Sequence, residues 1–277
     1  DGYLAEIVVV CENIIPARRL TLEPFDPFYM AEGDSHTFNV SFGMLDTEFY
    51  PALIGAAKGI ETRNFGASGD SSAKMLAEVS NLFVEDLPSV ASIYAGSNDT
   101  TTQISASAVP SADSFEVVNS DKLAVGGWVV VNGESRKIAT LAGFSVGLDT
   151  PLSVAPVAND DLTVDTYTNL RQWVQAVKGA GVSRVVIVGS HYLNFPSGGD
   201  TVNAEQTLRA SARNAQKAAA LAEGVQYVDT YAFMRSHILA GTVAQGDWAV
   251  WHQGATNTHL TSAGEQVLAD AISAAIY

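Results

Sequence analysis

Apolar positions along the 277-residue chain follow two alternating rhythms. Short apolar runs at Phe28–Ala31, Glu61–Phe65, Val90–Ala95, Arg184–Val188 and Val225–Val228 predict strands. Between them, apolar residues recur every three or four positions, the period of a helix with one buried face. That spacing predicts helices over Ser41–Lys58, Ser71–Val84, Thr168–Ala180, Asn203–Glu223 and Ser262–Ile276. Ser262 and Glu265 stand at capping-box spacing at the start of the last one. Strands alternating with helices of this length predict βαβ units and a mostly parallel sheet covered on both faces, an α/β fold.

Two stretches break the rhythm. Residues 104–165 carry short β patterns and no long helical one. Trp128–Val131, a two-residue Asn132-Gly133 turn and Glu134–Thr140 predict a hairpin, and Phe144–Leu148 a further strand. We read this stretch as a β subdomain inserted into the α/β domain, which then comprises 28–103 and 166–277. The ends of the insert must lie close together if the main sheet continues across it. Residues 1–27 form the second irregular stretch. Leu4–Val10 is a β-branched strand followed by Pro16, Pro24 and Pro27. It reads equally as the last strand of a preceding β module of a sugar-binding kind or as an edge strand of the main domain.

Composition narrows the function classes. Hydrophobic residues make up 47% and charged residues 16%, enough apolar material for a sizeable core. No apolar run reaches the ~20 residues of a membrane-spanning helix. Thirty acidic against fifteen basic residues give a formal charge of −15. That field repels phosphate backbones and anionic headgroups, so neither nucleic acid nor membrane is an expected partner. Cys11 is the only cysteine, which excludes a disulfide framework and a thiolate zinc cluster. The chain starts at Asp1 with neither Met nor a signal-like region, and is expected to be a piece of something longer.

In open parallel sheets, catalytic groups sit on loops past the carboxyl ends of strands. Ser35, Gly69 and Asn98 each follow a predicted strand, and His259 lies in the loop before the last helix. Ser with His makes a nucleophile and its general base. A loop glycine N–H and an Asn amide can donate to an oxyanion, each donor being worth about 10²–10³ in rate. Singly these residues are ordinary turn, cap or surface residues; in this order they form a pattern.

The pattern resembles the SGNH (GDSL-like) hydrolase family. Gly33-Asp34-Ser35 resembles the block that holds the nucleophile. Asn64–Ser72 (NFGASGDSS) resembles the second, whose glycine corresponds to Gly69. Gly96-Ser97-Asn98-Asp99 resembles the third, and His259–Gly264 (HLTSAG) the last, which holds the base. The resemblance implies a three-layer α/β/α sandwich with a mostly parallel five-stranded sheet. It implies ester hydrolysis through an acyl-enzyme on Ser35, with His259 as base. Gly69 N–H, the Asn98 side chain and the Ser35 N–H would hold the oxyanion, and neither metal nor organic cofactor is required.

One position departs from the family. Its members usually carry Asp three residues before the histidine, and here that residue is Thr256. In a serine protease, replacing the corresponding acid by Asn costs about 10⁴ in rate. Three readings follow. A backbone carbonyl or an oxygen of Thr256 or Asn257 orients His259; Asp247 swings in; or the site is crippled and the domain binds without turnover. On the first reading the enzyme is a modest esterase.

Trp248 and Trp251, with His252, lie just before His259 and either stack on a sugar ring or pack under the loop. Tyr192 and Phe195, after the fourth strand of the main sheet, are expected to line the cleft. His36 lines the pocket or starts a helix, and Arg63 and Arg171 read as surface charges. The favoured substrate is an O-acetylated carbohydrate, or another small ester, with a lipase less expected. The family's occurrence among β modules suggests an extracellular or phage-tail setting, with a homo-oligomer, a trimer in a tail. The alternatives are a glycan-binding module built on a decayed hydrolase and a purely structural tail component.

Overall fold

The computed structural model describes residues 27–38, 44–83, 86–106, 110–193, 204–253 and 258–276. The expected strand at Leu4–Val10, Cys11, Phe195, Thr256 and Asn257 lie outside these.

Five parallel strands form the main sheet: β1 (Phe28–Gly33), β2 (Glu61–Asn64), β3 (Val90–Tyr94), β10 (Arg184–Val188) and β11 (Gln226–Val228). Their order across the sheet is β2-β1-β3-β10-β11. The chain therefore reverses its winding direction between β1 and β3, and the crevice at that switch point is where open α/β sheets bind ligands. Successive β1 residues point to opposite faces. Tyr29 and Ala31 join the core under α1 (Tyr50–Lys58), α5 (Thr230–Leu239) and α6 (Ser262–Ile276). Phe28 and Met30 join the core under α2 (Ser72–Glu78), α3 (Thr166–Gly179) and α4 (Ala204–Glu223). The result is the α/β/α sandwich that the alternation of periods predicted. None of the described helices is long and apolar enough to cross a membrane.

The insert is a second sheet, β4-β9-β6-β7-β8-β5, built from β4 (Thr101–Gln103), β5 (Ser114–Glu116), β6 (Trp128–Val131), β7 (Glu134–Ala142), β8 (Ser145–Leu148) and β9 (Asp161–Val164). Its first and last strands pair antiparallel, Thr101 opposite Thr163, which brings its ends together as the sequence required. It begins three residues earlier than expected. Asn132 and Gly133 both have positive φ, the conformation of a type I′ hairpin turn. The insert is not loosely hung. Asn169 on α3, fully buried, accepts from Trp128 N (2.7 Å) and donates to Trp128 O (3.1 Å) and Ser72 Oγ (3.2 Å). Ala73 of α2 packs into the insert's own core.

Three local expectations are corrected. The helix expected over Ser41–Lys58 is a 3-10 turn at Asp46–Glu48 followed by α1, with Pro51 in its first turn, and residues 39–43 lie outside the described ones. The helix expected over Ser71–Val84 is α2 and then a 3-10 turn to Phe83. The capping box at Ser262 and Glu265 does not form. Thr261 caps α6 by accepting from Gly264 N, and Ser262 donates to Glu48. Glu265 turns inward and accepts from Tyr50 N (3.1 Å), joining α6 to α1.

Burial holds the Glu265 carboxyl up at about 8, and it does the same to Glu32. The fold therefore favours both carboxyls protonated. Their contribution to stability is complete below the ordinary carboxylate range and is lost as pH rises through about 8. Denaturant unfolding should show stability falling between about pH 5 and 8. Glu265→Gln keeps an acceptor for Tyr50 N without the ionisation. It should flatten that decline measurably; an unchanged slope would contradict the buried, protonated carboxyl.

Candidate active site

Each site residue is placed by the end of a strand. β1 runs directly into the turn Asp34–Phe38, in which Thr37 N and Phe38 N both donate to Asp34 O at 2.9 Å. The turn is wedged between its neighbours. A side chain at Gly33 would meet Thr37 Oγ1 at 2.1 Å and Tyr94 O at 2.8 Å, so only glycine fits. Asn64, at the end of β2, donates to Thr37 O (2.6 Å) and accepts from Gly66 N (2.9 Å). Ala67 N donates to Gly33 O at 2.8 Å. The side chain of Asn64 thus laces the loop after β2 to the turn after β1.

Ser35 Oγ lies 2.9 Å from His259 Nε2, the distance of a serine–base hydrogen bond. His259 comes from the loop before α6. That loop is held by an antiparallel bridge between His252 and Leu260, with Gln253 N donating to His259 O and Thr261 N to Trp251 O. Gly69 follows β2 with a φ of +82°. Asn98 follows β3 and donates one amide hydrogen to Asp70 O at 3.2 Å, leaving its second donor for another acceptor. Ser35, Gly69, Asn98 and His259 are all partly reached by solvent. Asp99, buried next to Asn98, accepts from Ser72 N (2.7 Å) and Thr166 Oγ1 (2.6 Å). Asp99 N also donates to Gly96 O at 3.3 Å, so Asn98 sits in a turn that the buried Asp99 anchors.

Behind the pair lies a polar cluster that sequence patterning did not reveal. The His36 ring stacks on His259, centroids 5.0 Å apart and planes 29° off parallel. His191 meets His36 edge-on at 4.7 Å, and His252 lies 5.9 Å from His191. Arg209 of α4, 2% exposed, approaches His36 Nε2 and the Tyr94 hydroxyl, each at 3.4 Å. Burial, and then the Arg209 charge, push His36 and His191 well below the ordinary imidazole value and His252 down to about 4. The rings are therefore neutral at pH 7. His191 Nε2 contacts Thr258 O (3.1 Å), which can only accept, so Nε2 carries the His191 proton and Nδ1 accepts from Tyr94 OH (2.8 Å). A chain of contacts thus runs from Arg209 through Tyr94 and His191 to the peptide just before the base. Histidines on three different loops gave no periodic signal; their juxtaposition needs the folded sheet. Among the described residues no group of three or more His, Cys, Asp or Glu is arranged to hold a metal ion.

Two substrate-contact expectations are corrected. Trp251 is 2% exposed and belongs to the core under α6, where it fixes the base loop. Tyr192 is fully buried against Tyr231, with its hydroxyl bonded to Gln245. Neither can stack on a ligand, because both side chains are buried. Trp248 is partly exposed in a 3-10 turn, Trp248–Val250, and remains available. Asp247 is exposed at the N-cap of that turn. Arg63 bonds Glu61 and Asp86, and Arg171 bonds Glu223, as surface charges should.

Fold and site together define an α/β/α hydrolase with a Ser–His pair at the carboxyl edge of a parallel sheet. The chain belongs to the GDSL-like lipase/acylhydrolase family, whose sequence profile matches residues 31–267. Among curated proteins no sequence match is found. Solved structures that share the fold include two enzymes. Axe2, an acetylxylan esterase from Geobacillus stearothermophilus, superposes with a TM-score of 0.54 at 17% identity, over 90% of this chain and 94% of that one. LAE5, an α/β hydrolase enzyme from the metagenome of Lake Arreo, Spain, gives 0.56 at 14% identity over the same shares.

Burial, then Arg209, lower the pKa of His259 below its ordinary 6.5, which favours the neutral base. Ester hydrolysis followed as kcat/KM should rise with pH through a midpoint below 6.5 and stay level across neutrality. Arg209→Gln removes the cation and should move that midpoint upward. A midpoint that stays or falls would contradict the Arg209 charge as a cause of the lowered His259 pKa.

Proposed function

We propose that this chain is a serine esterase that removes acyl groups, favouring O-acetyl, from a carbohydrate. The observation that carries the reading is the 2.9 Å bond between Ser35 Oγ and His259 Nε2 in a solvent-reached cleft at the switch point of the sheet. In this mechanism Ser35 Oγ bonds to the ester carbonyl carbon while His259 Nε2 takes the hydroxyl proton. Gly69 N–H, Asn98 Nδ2 and Ser35 N–H share the charge that forms on the carbonyl oxygen. The carbon–oxygen bond to the alcohol then breaks, and His259 returns its proton to the departing alkoxide. Water, activated by the same imidazole, attacks the acyl-enzyme and frees Ser35. His36, stacked on His259, limits rotation of the base.

The carbohydrate part of the reading has lighter support. Axe2, which shares the fold, is an acetylxylan esterase. The insert rises from the residues just after Asn98, where it borders the cleft, and Trp248 offers one partly exposed aromatic surface. A second reading, a glycan-binding domain without turnover, is favoured by one observation: Thr256 stands where the family usually has Asp.

The deciding experiment pairs the native chain with Ser35→Ala on p-nitrophenyl acetate, acetylated xylan and p-nitrophenyl palmitate. We expect acetate release from the first two, little hydrolysis of the third, and a loss of about 10³-fold or more in Ser35→Ala. Ser35 should also react with a fluorophosphonate probe. Absence of labelling together with retained binding of an acetylated glycan would establish the second reading instead.

A further inference from the structure

Lys122 is a residue of the insert, in the loop between β5 and β6, yet its ammonium reaches the main domain and donates to the carbonyl oxygen of Gly69. The link is reciprocal: Ser71 Oγ donates to Lys122 O at 2.6 Å. The loop that presents Lys122 is itself fixed. Leu123 is buried in the insert's core, Leu123 N bonds Ser120 O, Asp121 N bonds Asn119 Oδ1, and Asn119 N bonds Thr102 Oγ1. The lysine is therefore held by a firm support.

What it holds is a tight turn with a glycine inside it. Asp70 N donates to Ala67 O at 3.2 Å, closing the four-residue turn Ala67–Asp70, and Gly69, its third residue, has a φ of +82°. That is the signature of a type II turn. A glycine there has no side chain to brace the turn, so its placement is left to the neighbours. Lys122 on the carbonyl of Gly69 holds the Gly69–Asp70 peptide, whose N–H closes the turn, and Asn98 holds the carbonyl of Asp70.

We propose that Lys122 is a positioning residue through which the inserted sheet fixes the Gly69–Asp70 peptide, and with it the place of the Ala67–Asp70 turn that presents the Gly69 N–H to the reacting carbonyl. This rests on the esterase reading, in which Gly69 is an oxyanion donor. The insert is then part of the catalytic apparatus and not only a wall of the cleft. Its ammonium also places a fixed positive charge beside the peptide that meets developing negative charge.

The test compares native protein, Lys122→Met and Lys122→Arg by p-nitrophenyl acetate kinetics, melting temperature and amide exchange at Asp70, whose N–H closes the turn. Loss of a whole oxyanion donor costs about 10²–10³ in rate, so loosening one should lower kcat by about tenfold or more, with KM within about twofold. Asp70 should exchange faster in Lys122→Met, and Lys122→Arg should restore most of both. The proposal is overturned if Lys122→Met keeps native kcat and native Asp70 exchange. It is equally overturned if the melting temperature falls while kcat of the folded fraction is unchanged, because the lysine is then only a tether. If the native chain hydrolyses no ester and Ser35 takes no fluorophosphonate, the esterase reading fails. Unchanged Asp70 exchange in Lys122→Met would still refute the restraint by itself.

Discussion

The constraint on which the rest of the structure depends is the crowding at Gly33. The parallel strands β1, β2 and β3 end side by side, and the chain must turn sharply out of the middle one while its neighbours turn beside it. No room is left there for a Cβ between Thr37 and the Tyr94 carbonyl. Because the turn is wedged, its hydrogen bonds go to the adjoining loops, through Ala67 N to Gly33 O and Asn64 to Thr37 O. The position of Ser35 is therefore fixed by the sheet, and the loops that face it are fixed by the same contacts.

The electrostatics of the site follow from burial. Removing imidazoles from water disfavours their charged form, and a buried guanidinium among them disfavours it further. His36, His191 and His252 are held neutral, and Arg209 is the fixed cation beside them. Neutral rings can stack and can pass hydrogen bonds of defined direction, and both features surround His259 here. The opposite sign of the same effect keeps Glu32 and Glu265 protonated up to about pH 8. An acidic protein with a formal charge of −15 thus carries two buried carboxyls that favour the neutral form at pH 7.

The insert and the hydrolase domain are not independent bodies joined by two crossings. Asn169 pairs with both backbone groups of Trp128, Ala73 enters the insert's core, and Lys122 returns to Gly69. Asp99, at the point of departure, bonds Ser72 and Thr166, which lie on the helices flanking the junction. Contacts of this density at the root of an insertion couple its placement to the loops of the cleft.

The sequence by itself determined the layers and the order of the site residues. Periods of two and 3.6 are local properties, so the five strands and the insert were legible from the chain, while Ser35, Gly69, Asn98 and His259 were picked out by their place near strand and helix ends and by the family resemblance. The two-residue Asn132-Gly133 turn was legible for the same reason. Other features were decided only by tertiary structure, because they depend on which surfaces meet. Trp251 and Tyr192 carry the same residue signal whether they face a ligand or a core, and packing beneath the base loop placed both inside. Glu265 stood at capping distance from Ser262, yet burial against α1 gave it Tyr50 N as partner. The histidine cluster joins residues 36, 191, 252 and 259 with Arg209 across more than two hundred positions. No local pattern encodes such a meeting; the parallel sheet brings those loops to one edge.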